Sequence, residues 1–131
     1  MLKKTVTLFI CLFIATAAFA FDCDKFYKAL DTYSTLSNHA DELLKEAKET
    51  WKFDAYERAM DRSDAASEVV FKMISKLRKV EDIKAAKVTI EKFEKASPKN
   101  QQVAREARKV LRDRVKYLSS ISSIFDFFKK K

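Results

Sequence analysis

No glycine occurs anywhere in this 131-residue chain, and Pro98 is its only proline. Tight turns between strands need residues that tolerate positive φ, and glycine supplies most of them. A sheet protein without glycine would carry a strained residue at nearly every corner, whereas helices joined by short polar turns lose little. The expectation is an all-α fold. The same absence excludes Gly-rich phosphate loops and dinucleotide fingerprints, which need backbone that only glycine permits. A hydrophobic content of 47% argues against a disordered chain.

The first residues read as a targeting segment. Lys3 and Lys4 precede an apolar run from Thr5 to Thr16, and small residues follow, ending Ala18-Phe19-Ala20. This order is that of a signal peptide with an A-x-A cleavage site. The apolar run is short of the ~20 residues a spanning helix needs. Cleavage after Ala20 is therefore expected, which makes residues 1–20 a signal peptide and residues 21–131 a single helical domain, periplasmic or secreted. Lipidation at Cys23 would need small residues before it, and Phe21 and Asp22 stand there. Cys11 leaves with the signal, so Cys23 has no internal partner and is a candidate for an intermolecular disulfide, including a homodimer.

Apolar spacing then divides the mature chain. From Asp22 or Asp24 to about Glu49, the positions Phe26, Leu30, Tyr33, Ser37, Ala40, Leu44, Ala47 and Trp51 alternate steps of four and three. That is a heptad seam. A second seam, Tyr56, Met60, Ser63, Ala66, Val70, Ile74 and Leu77, follows Asp54, which with Glu57 has capping-box spacing. Asp41–Lys45, Lys45–Glu49, Asp54–Arg58 and Glu68–Lys72 have i,i+4 spacing on the outer faces. Folding the seams back near Trp51 and Lys52 sets Phe26 by Leu77, Leu30 by Ile74, Tyr33 by Val70, Ser37 by Ala66 and Ala40 by Ser63. Leu44 then falls by Met60 and Ala47 by Tyr56. Near Val80 to Asp82 the phase slips, which predicts a bent or broken helix, with Asp82 as cap if a third helix starts there. Ser97-Pro98 marks a clear start for the last helix, since serine caps well and proline suits the first turn. The predicted architecture is an antiparallel helical hairpin or bundle of three to four helices with coiled-coil-like seams.

The inventory for chemistry is thin. His39 is the only histidine and neighbours the seam, so it is expected to face solvent. One histidine and one mature cysteine cannot compose a zinc motif. Carboxylate pairs such as Asp22/Asp24 and Asp61/Asp64 read as solvated faces rather than acid–base dyads, because catalysis needs an enclosed site that shifts pKa values. No enzyme, cofactor or metal role is expected.

Charge is the remaining signal. Residues 21–68 hold 7 basic and 12 acidic residues, and residues 69–131 hold 18 basic and 7 acidic. Arg105, Arg108, Arg112 and Lys116 follow helical spacing, with Lys109 and Arg114 beside them. Ile121, Ile124, Phe125, Phe127 and Phe128 then precede Lys129, Lys130 and Lys131. Arginine and aromatic side chains anchor interfaces. The expected partner-binding set is Arg105, Arg108, Arg112, Lys116, Phe125, Phe128, Lys129 and Lys130. The expected role is an adaptor, inhibitor or small chaperone-like factor acting by protein–protein interaction. The alternative is a cationic surface binder using the last helix on anionic lipid or lipopolysaccharide. Export and the lack of groove-reading motifs argue against nucleic acid.

Overall fold

The computed structural model describes the backbone of residues 21–129 and the side chains of residues 21–122. The proposed signal segment, its cut after Ala20, Lys130 and Lys131 lie outside the described residues, as do the side chains of Ile124, Phe125, Phe127, Phe128 and Lys129. Four α-helices follow one another: α1 (Cys23–Thr50), α2 (Asp54–Ser75), α3 (Val80–Ala96) and α4 (Gln101–Lys129), with a 3₁₀ turn, Pro98–Asn100, leading into α4. The described residues form no strand.

Local chemistry sets the ends. Asp22 caps α1, its Oδ1 accepting from the Lys25 backbone N–H at 3.1 Å. Ser97 caps the 3₁₀ turn by accepting from Lys99 N at 3.3 Å, with Pro98 at the first helical position as expected. Two expected caps differ. Phe53, not Asp54, occupies the cap position of α2 and makes no side-chain bond, so Asp54 and Glu57 meet the helix start through charge alone. The break before α3 is real, but the helix opens at Val80 after Lys79, with Asp82 already in its first turn. The i,i+4 charge pairs of the outer faces also stay open. Arg108–Glu94 is the only ion pair among the described residues.

The core lies at one end of the long hairpin. Phe26, Leu30 and Tyr33 of α1 meet Val70 and Ile74 of α2, Leu77 just beyond its end, and Ala86, Ile90 and Phe93 of α3. Val103, Ala104, Ala107 and Leu111 of α4 close the cluster. The Tyr33 and Phe71 rings meet edge-on at 6.3 Å, one residue from the expected Val70 neighbour, so the hairpin register holds. Tyr27 on Phe93 at 5.8 Å ties α3 to the same stretch of α1. Each large apolar side chain removed from water there contributes ~1.5–3 kcal/mol.

Towards its tip the hairpin is a two-helix prong. The α3–α4 junction reaches α1 at Ser34 and Asn38, and α1 runs on to Thr50. Ala40, Ala47, Ala59 and Ser63 are buried there, apart from the main core, and their small size lets the two axes approach. Leu44, Tyr56 and Met60, all seam positions, are only half-buried, because no third helix covers them. Trp51 departs furthest. It ends α1 in the left-handed conformation at φ 61°, its N–H on Ala47 O at 2.7 Å, and its side chain is 83% exposed.

Candidate interaction surface

Two regions gather polar side chains: the α3–α4 junction and the outer face of α4. At the junction Asn100 is buried. Its Nδ2 donates to Phe93 O at 2.8 Å, satisfying a carbonyl freed by the end of α3, and its Oδ1 accepts from Ser34 Oγ at 2.9 Å. Asn38 Nδ2 donates to Lys99 O at 3.3 Å. Beside this network an open cleft of ≈ 570 Å³ is lined by Tyr27, Asp31, Asn38, His39, Glu42 and Ser97, among others. His39 is exposed. No described group of three or more His, Cys, Asp and Glu side chains could hold a metal ion. The junction's polar bonds serve to fasten α1 to the turn, and every buried side-chain polar atom among the described residues has a partner.

On α4 the core residues Val103, Ala104, Ala107 and Leu111 fix which side faces water. At 3.6 residues per turn, Arg105, Lys109, Arg112 and Lys116 then fall within an arc of about 60° opposite that core. All four are exposed, and none closes an ion pair. They rise along the helix over roughly 16 Å. Val115 and Tyr117, 39% and 54% exposed, flank the row. The segregation of charge along the sequence therefore persists in space: these cations do not fold back onto the acidic first half.

The predicted set is accordingly rearranged. Arg105, Arg112 and Lys116 stand on the outer face, and Lys109 joins them. Arg108 turns aside to α3, where Nη1 and Nη2 donate to the two Glu94 carboxylate oxygens at 2.7 Å each. Those hydrogen bonds keep the Glu94 carboxyl below the usual carboxylate range and raise the Arg108 guanidinium. Arg114 leaves the row altogether. Its Nε donates to Leu77 O at 2.9 Å, fastening the connection that follows α2, and its guanidinium lies over the Tyr117 ring at 5.2 Å. Glu106 faces inward and accepts from the Tyr33 hydroxyl; burial first, then that carboxylate, push the phenol well above its ordinary value. Phe125, Phe128 and Lys129 continue the α4 backbone, with their side chains outside the described set, as is Lys130. Cys23 is exposed at the start of α1, with no disulfide partner among the described residues.

Sequence spacing located the row but could not separate its free members from the spoken-for one. Arg108 lies about 60° from Arg105 around the helix, close enough to share its face in projection. Only the position of α3 decides that Glu94 takes it. Glu94 and Asn100 carried no signal of their own.

No family model, curated protein or solved structure matches the chain.

Proposed function

We propose that this protein is an exported binding protein that engages an acidic protein surface through the outer face of α4. The observation that carries the reading is the row Arg105, Lys109, Arg112 and Lys116: exposed, unpaired within the protomer, and held in line by a helix whose opposite side is buried. The helix fixes the backbone spacing of these cations before a partner arrives, so only the side chains themselves remain to be ordered on binding. Val115 and Tyr117 beside the row offer apolar area, which favours a packed protein contact over a headgroup layer. No described helix is long and apolar enough to cross a membrane.

The test uses the mature protein as bait in the exported fraction. Its intact mass should correspond to a chain starting at Phe21, and a product retaining Met1 would overturn the export reading. The variant Arg105→Glu, Lys109→Glu, Arg112→Glu and Lys116→Glu should lose the captured partner while keeping wild-type helicity and melting temperature. Arg108 stays intact in that variant, since its ion pair with Glu94 is structural. Capture that survives the four reversals refutes the reading. Binding to anionic vesicles but to no protein would replace it with the lipid-surface alternative.

A further inference from the structure

The outer face of α2 carries a second row of charge. Asp54, Glu57, Asp61, Asp64 and Glu68 follow steps of three, four, three and four, and all five are exposed. At 3.6 residues per turn they occupy an arc of roughly 80°, on the side away from Ala59, Ser63 and Val70, which are buried against α1. None closes an ion pair within the protomer, even though Arg58 and Lys72 are spaced to reach them. Within this row, Glu57, Asp61, Asp64 and Glu68 repeat the four-three-four spacing of Arg105, Lys109, Arg112 and Lys116 on α4. That spacing reads the same in both directions, so two such helices match side by side whichever way they run.

A protomer cannot make this match with itself. Tyr33 lies opposite Phe71, so the α2 row lies mostly towards the hairpin tip, along the prong. The α4 row begins after the α3–α4 turn, which meets α1 at Ser34 and Asn38, and it runs away from the tip towards Leu77. The two rows are therefore offset along the molecule, and each faces solvent.

We propose that two copies of this chain associate by laying the acidic α2 row of one along the basic α4 row of the other. The contact shares the α4 row with the function proposed above, so self-association and capture of an acidic partner compete for it. The α2 row belongs to self-association alone. Exposed ion pairs are individually weak and screened by salt, so the association is modest and loosens by roughly tenfold or more as salt rises from low to moderate ionic strength.

The experiment measures mass by sedimentation, with the mature protein under reducing conditions so that Cys23 bridges do not contribute. Wild type should exceed monomer mass at low salt and return to monomer at high salt. The α2 variant Glu57→Lys, Asp61→Lys, Asp64→Lys and the α4 variant Lys109→Glu, Arg112→Glu, Lys116→Glu should each remain monomeric. Mixed together, they should associate, because the reversed rows again complement each other. The α2 variant should still capture the acidic partner, which separates failure of this contact from failure of the proposed function. Independently of any variant, carbodiimide coupling of wild type mixed with an isotope-labelled copy should join Lys109 or Lys116 of one copy to Glu57, Asp61, Asp64 or Glu68 of the other. A wild type that stays monomeric at low salt overturns the proposal. So do variants that self-associate as wild type does, a mixture that fails to associate, or crosslinks between copies that miss both rows.

Discussion

Asn100→Asp should convert the α3–α4 junction into a pH-sensitive weak point. In the wild type, Asn100 Nδ2 donates to Phe93 O and Oδ1 accepts from Ser34 Oγ, in a site where Asn100 is 7% exposed. A carboxylate keeps the second bond and loses the first, setting two acceptors face to face where a donor stood 2.8 Å from the carbonyl. Losing one buried hydrogen bond and leaving Phe93 O unsatisfied costs ~1–3 kcal/mol, and confining a charge there adds to it. A total of ~3–4 kcal/mol would lower the melting temperature by more than 10 °C, at about 4 °C or more per kcal/mol for a domain of this size. Protonation restores a donor, so the folded-state pKa of the new carboxyl must lie above its unfolded value. The penalty is then fully present at neutral pH and shrinks as pH falls through that folded pKa. Ser34→Ala removes the bond to Asn100 Oδ1 together with the longer contacts to Lys99 O and Asn38 Nδ2 at 3.4 Å, and should cost about 1–2 kcal/mol. Urea unfolding of both variants at neutral and mildly acidic pH, and of Asn100→Ala with and without Ser34→Ala, measures these terms. The reasoning fails if Asn100→Asp is pH-independent, or if the Ser34→Ala and Asn100→Ala losses simply add, since groups sharing a buried bond must couple.

Three further outcomes follow from particular contacts. Leu30→Asp places a charge in the fully buried core, so it should unfold the protein or cost several kcal/mol, while exposed Lys45→Asp should change stability little; comparable small losses by circular dichroism melting would place α1 outside the core. Glu94→Gln should remove stability that exists only with the carboxylate ionised: because Arg108 depresses the folded pKa, that contribution is present above the ordinary carboxylate range and is lost as pH falls through the folded value. Wild type and Glu94→Gln melting curves should therefore converge in acid, and a gap that persists there would show that the pair is not the cause. Trp51→Gly should leave thermal stability unchanged or raise it by up to about 1 kcal/mol, since the left-handed conformation is strained for any residue but glycine and the exposed indole contributes little packing; a marked drop in melting temperature would mean that the ring is held after all.

The sequence by itself determined the class of fold and much of the first hairpin. The absence of glycine forced helices, and the heptad spacing of Phe26, Leu30, Tyr33, Val70, Ile74 and Leu77 placed those residues in one core with the right register. Asp22, Ser97 and Pro98 announced their caps because capping is local chemistry, decided within a few residues. Tertiary structure alone decided where cover ends. The seam runs unbroken from Phe26 to Trp51, yet α3 and α4 reach only part of it, so Trp51 is in water and Leu44, Tyr56 and Met60 are half-buried. Ser34, off the seam, is buried because Asn100 arrives from the far end of α3. The same holds for the charged face of α4. Helical spacing aligned Arg105, Arg108, Arg112 and Lys116, but whether a guanidinium is free depends on what stands across from it, and periodicity along one helix carries no record of its neighbours. Glu94 lies 14 residues before Arg108, and only the antiparallel packing of α3 on α4 brings them together.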